Sequence, residues 1–144
     1  MGSRRAAREL ALQALYQLDM AEEGESARDL ALFWSHFDRP PDVQQFAREL
    51  VAGVQINRER IDALIDASAE HWRLPRLSRV DLNLLRLATF ELLGRPDIPT
   101  SVTIDEAVEI ARRYGSEESA AFVNGVLDHI AGVLGVKDPV GRVE

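Results

Sequence analysis

The sequence predicts an all-α protein, a compact bundle of about seven helices, and three observations carry that expectation. Apolar residues recur at spacings of three and four through most of the 144 residues, the period of one helix face. No stretch keeps the strict apolar-polar alternation of a half-buried strand. Gly24, Pro40-Pro41, the Gly94 to Pro99 stretch and Gly115 cut the chain into pieces of helical length. One domain of this size can bury a core without staples. A hydrophobic share of 46% beside 28% charged residues excludes a disordered chain. The domain is expected over residues 1–135, with a flexible tail over 136–144.

The first helix, at about 100° per residue, places Ala7, Leu10, Ala11, Ala14 and Leu18 on one face, which is assigned to the core. Arg5, Leu12 and Tyr16 fall on the opposite face. An aromatic ring beside arginines offers single-stranded RNA a surface for a base and cations for phosphate. The same pattern equally suits Leu12 and Tyr16 packed on another helix with the arginines solvated. Past Gly24, Ser26 is a cap for a second helix carrying Leu30, Phe33, Trp34 and Phe37 as core residues. Pro40-Pro41 ends it. A third helix from about Asp42 buries Val43, Phe46, Ala47, Leu50, Val51 and Val54. Near Asn57 the chain either bends or continues into a fourth helix with Ile61, Leu64 and Ile65.

His71-Trp72-Arg73-Leu74-Pro75 is expected to be a linker anchored by its tryptophan, because Pro75 disfavours helix at Leu74. The next helix, about 78–93, is apolar nearly all round and therefore central. Glu91 lies amid Val80, Leu84 and Leu87, so it must find donors or a cation. Arg79, Arg86 and Phe90 share its remaining sector, a second place where cations and an aromatic coincide. Gly94 and Pro96-Asp97-Ile98-Pro99 close this helix. Thr103 with Glu106 forms a capping-box pattern that starts the sixth helix. Arg112 and Arg113 suit its negative end, and Gly115 suits a left-handed cap. Ser116 caps the last helix, Glu117 and Glu118 fill its first turn, and Phe122, Val123, Val126, Leu127 and Ile130 form its apolar face. Gly125 leaves room for another backbone.

Charge and chemistry narrow the function. A formal charge of -7 argues against a protein that coats nucleic acid indiscriminately. The cations are local: Arg4, Arg5 and Arg8 at the start, and Arg73, Arg76, Arg79 and Arg86 in the middle. His36, His71 and His129 sit on different elements with no ligand spacing, so no metal site is expected. Asp62 and Asp66, one helical turn apart, are expected to form a solvated face. Gly132-Val133-Leu134-Gly135 near Lys137 lacks the spacing of a phosphate loop, and no nucleophile stands beside a base. The expectation is a binding protein without catalytic residues or a cofactor. No apolar run reaches the roughly 20 residues of a membrane span, and the absence of cysteine suits a cytoplasmic protein.

Three blocks carry a family resemblance. Arg4-Arg5-Ala6-Ala7-Arg8-Glu9 with Gln13-Ala14-Leu15-Tyr16, Arg79-Val80-Asp81 through Leu85-Arg86-Leu87-Ala88 to Phe90-Glu91-Leu92-Leu93, and Phe122-Val123-Asn124-Gly125-Val126-Leu127-Asp128 resemble, in order and spacing, the NusB family of transcription antitermination factors. The resemblance implies an all-helical domain of two packed subdomains. It further implies binding of boxA single-stranded RNA in nascent ribosomal RNA transcripts together with ribosomal protein S10 (NusE), within an RNA polymerase antitermination complex. Carried over by position, the RNA-binding residues are Arg4, Arg5, Arg8, Gln13, Tyr16, Arg86, Glu118 and Phe122, and Asp81 is the residue for the protein partner. On that basis Arg5 and Arg8 each supply one phosphate contact. Glu118 would accept from a base amino group; it equally serves as helix N-terminal charge. Two other readings stand beside this one: an RNA-positioning module of a ribosomal RNA methyltransferase, although no glycine-rich strand-turn-helix is present, and a homodimer built on the Leu82 and Leu93 side or on the outer face of the first helix.

Overall fold

The computed structural model describes residues 2–20, 26–69 and 77–136. Seven helices follow one another among them: α1 (Gly2–Met20), α2 (Ser26–Ser35), α3 (Pro41–Ile56), α4 (Arg58–Ser68), α5 (Arg79–Gly94), α6 (Thr100–Tyr114) and α7 (Glu117–Leu134). The expected linker with His71, Trp72, Arg73 and Arg76, the break at Gly24, Lys137 and most of the expected tail lie outside the described residues.

Helix α5 is the hub, as its composition requires. Ser78 caps it, its hydroxyl accepting from the Asp81 amide at 3.0 Å. Ten consecutive or near-consecutive residues from Leu82 to Leu92 are buried. Around it pack α1, α3, α4, α6 and α7. The α1–α3 group forms one subdomain and α4–α7 the other, and α5 joins them by touching α1 and α3 as well as its own neighbours. Leu82 is interior at 2% exposure and Leu93 packs against the core. Leu82 is thus covered within the fold, while Leu93 stays partly buried.

The expected core positions of α3 are all buried, and Asn57 ends α3 and opens α4, so the chain bends there and continues. Phe90 does not stand beside cations on an open face. Its ring lies across Gly53 and Gly94, where a Cβ on Gly53 would sit 2.2 Å from the ring. A glycine there lets α3 approach α5 with an aromatic between them.

Three local expectations at the α6–α7 corner change. Helix α6 starts a turn early, because the Pro99 carbonyl accepts from the amides of Val102 and Thr103 at 3.0 and 3.1 Å. Thr103 is therefore buried inside the helix, and its hydroxyl donates to Glu91 instead of capping. Gly115 is not left-handed, at φ -127° and ψ -104°; its amide donates to the Ala111 carbonyl, which a Cβ would approach to 2.9 Å. The left-handed cap is Gly135, with φ 71°. Gly125 is exposed, with nothing near its missing Cβ. Ser116 caps α7 as expected, accepting from the Ser119 amide.

At the centre, Arg8 donates through Nε and Nη2 to both oxygens of Glu91 at 2.8 Å, with side chains only 4% and 1% exposed. Thr103 adds a hydroxyl to the same carboxylate at 3.3 Å. The pair locks α1, α5 and α6 together. Glu91→Ala should cost about 3–5 kcal/mol by stranding the Arg8 charge, seen as a lower urea midpoint at unchanged slope. The double variant Arg8→Met/Glu91→Leu should recover most of that loss. A double variant as unstable as the single one would mean that shape, and not the stranded charge, sets the cost. A smaller effect is expected on α5 at Thr89, whose fully buried hydroxyl has no hydrogen-bond partner among the described residues. Thr89→Val should raise stability by about 1 kcal/mol in the same measurement.

Candidate nucleic-acid interface

The candidate residues do not form one surface. Two of the expected RNA cations are structural. Arg8 is spent on Glu91. Arg86, 5% exposed, donates to both oxygens of Asp62 at 2.8 and 3.1 Å and reaches Asp19 at 3.4 Å. Neither can meet a phosphate without unmaking the core, because a buried charge needs its partner. Asp62 is thereby part of this network, and not a solvated twin of Asp66.

The remaining candidates divide into four places. Arg4 is exposed on α1, its guanidinium 4.4 Å from the centre of the Phe46 ring, in a cleft shared with Arg95 and Glu49. Arg5 reaches α6, donating through Nε and Nη2 to Glu106 at 2.7 and 2.9 Å. Its guanidinium is held still more firmly protonated, chiefly by that hydrogen bond. Farther along α1, Gln13 and Tyr16 line a mostly apolar groove of about 460 Å³ with Leu12, Phe33, Phe37 and Tyr114. Tyr16 and Tyr114 are 42% and 50% exposed. Leu12, expected on the outer face, is buried at the groove floor.

Glu118 and Phe122 meet Asp81 in a recess of about 400 Å³ where the starts of α5 and α7 converge. Residues assigned to different partners by position thus share one cavity. Ser119 donates its hydroxyl to Asp81 at 3.2 Å, and burial nevertheless raises the Asp81 pKa, against the hydrogen bonds from Ser119 and Ser78. The recess and the groove adjoin, since Val80 and Tyr114 line one while Asp81 and Ser116 line the other.

Sequence reasoning missed Tyr114 and the outward contribution of Phe33 and Phe37. Phe33 and Phe37 match the helical core period and do pack in the core, tilted against each other at 4.6 Å. Their second role depends on α1 and α6 closing over them. Tyr114 carried a usable signal: a large aromatic in the last turn of an amphipathic helix, next to Arg112 and Arg113 and before a glycine.

With this geometry in place, three comparisons are informative. The profile of the NusB family matches residues 5–132. The transcription antitermination protein NusB of Myxococcus xanthus is 54% identical over 138 residues, covering 93% of this chain and 98% of that one. The fold superposes on T. maritima NusB with a TM-score of 0.80 at 44% identity, covering 90% of each chain. It also superposes, with a TM-score of 0.75 at 28% identity over 92% of this chain and 98% of the other, on a chain in the crystal structure of antitermination factors NusB and NusE in complex with dsRNA.

The Arg5–Glu106 pair makes stability pH-dependent in a defined direction. The hydrogen bonds from Arg5, above all, hold the Glu106 carboxyl below its ordinary value of 4.5. A depressed folded-state pKa contributes stability above the unfolded value and loses it as pH falls through the folded value. Glu106→Gln should therefore flatten the acid limb of the urea midpoint plotted against pH, below about pH 4.5, and bring the variant and the parent together at the acid end.

Proposed function

The chain belongs to the NusB family, and from that premise we propose that it is a transcription antitermination factor acting by recognition. In this reading it binds boxA RNA of nascent ribosomal RNA transcripts jointly with ribosomal protein S10 (NusE), joins the antitermination complex on RNA polymerase in the cytoplasm, and helps the enzyme pass terminators. Partnership with NusE and RNA is supported by the likeness to a chain in the crystal structure of antitermination factors NusB and NusE in complex with dsRNA.

The observation that carries the RNA reading is the groove in which Tyr16 and Tyr114 stand exposed beside the amide of Gln13. Exposed rings accept unpaired bases, and an amide can read a base edge. Arg4 and Arg5 on the same helix supply phosphate contacts, and Phe122 with Glu118 extends the surface into the adjoining recess. Asp81 in that recess is the contact for the protein partner. Because Arg8 and Arg86 are consumed by the core, the free chain offers few cations. Weak binding alone and tight binding with the partner follow from that shortage.

Fluorescence anisotropy of a labelled boxA-type RNA and a scrambled control, with and without S10 and across salt concentrations, tests this reading. Preference for the boxA-type RNA that strengthens with S10 is expected, and unlabelled duplex of the same sequence should compete poorly. Equal binding of both RNAs in the presence of S10 would overturn it. Within the same assay, Tyr16→Ala and Phe122→Ala should each cost about 1–3 kcal/mol of RNA binding. Arg5→Ala should reduce the salt slope by ~0.7, one phosphate contact to a single strand. Arg8→Ala should instead lower the urea midpoint.

A further inference from the structure

We propose that Glu106 sets the RNA affinity of the first helix by competing with phosphate for the Arg5 guanidinium, an inference that rests on the RNA reading above. Arg5 has five N–H donors in a fixed fork. Nε and Nη2 are already committed to the Glu106 carboxylate at 2.7 and 2.9 Å. The arginine side chain is 34% exposed and the carboxylate 15%, so the cation faces outward while its charge is balanced from behind.

Among the described residues Glu106 has no other hydrogen-bonded cation. Arg8 approaches it only to 4.0 Å and is itself neutralised by Glu91 at 2.8 Å. The capping role that the sequence suggested is absent, since α6 starts at Thr100, following Pro99. Glu109, one turn on, pairs with Arg112 at 2.8 Å and, like Glu9, adds only a weaker attraction to Arg5 than Glu106 does. What Glu106 does is hold Arg5 and oppose any second anion there. A phosphate arriving at Arg5 must displace the carboxylate or share the cation with it, and two like charges a few ångströms apart repel. On the same helix Arg4 is exposed with its guanidinium over Phe46. Of the three N-terminal arginines the sequence displays, one is buried and one is masked.

Charge competition at a phosphate site carries no sequence information. Removing the Glu106 charge should therefore tighten boxA-type and scrambled RNA by the same factor, roughly three- to tenfold, and leave their ratio unchanged. Glutamine keeps the shape and one acceptor, so Arg5 stays in place.

The test is anisotropy on the complex with S10 for the parent, Glu106→Gln, Glu109→Gln, and Arg5→Ala with and without Glu106→Gln. The expected result is a gain in Glu106→Gln that is clearly larger than any in Glu109→Gln, which changes net charge equally but attracts Arg5 only from farther off, and that is absent in the Arg5→Ala background. Unchanged or weaker binding by Glu106→Gln, or a gain that survives Arg5→Ala, overturns the proposal. Far-ultraviolet circular dichroism confirms folding; should Glu106→Gln not fold, Glu106→Ala takes its place with the same expected gain. Failure of the parent complex to prefer boxA-type RNA would count against the functional reading, whereas a selective parent with an unaltered Glu106→Gln counts against this inference alone.

Discussion

The bidentate ion pair between Arg8 and Glu91 is the constraint around which this structure is arranged. Both groups are sealed from water, and the carboxylate is finished by the Thr103 hydroxyl. Neither charge could stay buried alone, since desolvation would cost more than packing returns. Three helices distant in sequence are thereby held at one point: α1 through Arg8, α5 through Glu91 and α6 through Thr103. The two subdomains share α5, so this pair also ties the N-terminal helices to the C-terminal hairpin of α6 and α7.

A second network repeats the logic at the other end of α1. Asp19 accepts from Asn83 at 2.7 Å and lies within 4 Å of Arg58, Arg79 and Arg86, while Arg86 is clamped by Asp62 of α4. Together the two networks fix both ends of α1 against α5. Their consequence for recognition is subtractive. A chain with 17 Lys and Arg residues and 24 Asp and Glu residues uses its acids to hold its cations. Arg113 with Glu9 at 2.6 Å and Arg95 with Asp97 and Glu49 follow the same pattern at the surface, where each pair contributes little to stability. What remains outward among the described side chains of α1 is a short series of groups: Arg4, a half-masked Arg5, Gln13, Tyr16, Gln17 and Met20.

The aromatic groove and the acidic recess lie side by side because α5 starts where α6 ends and α7 begins. Asp81 in the first turn of α5 is tied to Ser119 in the first turn of α7, and Tyr114 ends α6 just before that junction. Two of the three helix ends that build this surface are capped by side chains, α5 by Ser78 and α7 by Ser116. Under the proposed function, such a preformed surface would spare a ligand the cost of ordering it.

Periodicity and punctuation alone determined that this chain is helical, in which stretches its helices lie, and which face of α3, α5 and α7 is buried. These follow from local physics: spacing of apolar residues, a cap such as Ser116, and prolines that cannot continue a helix. The need of Glu91 for a cation was legible too, from one carboxylate on an apolar face. Which cation it takes was not. Arg8 and Arg5 read alike in a sequence, three residues apart on one helix, and only the approach of α5 and α6 from different sides buries one and leaves the other at the rim. Arg86 and Phe90 were misplaced for the same reason, because an all-apolar helix gives no sign of which neighbour covers its last sector. Tyr114 joins Tyr16 across about a hundred residues of chain. Local pattern decides what a residue can be, and the tertiary fold decides which charges meet inside and which are left to meet a ligand.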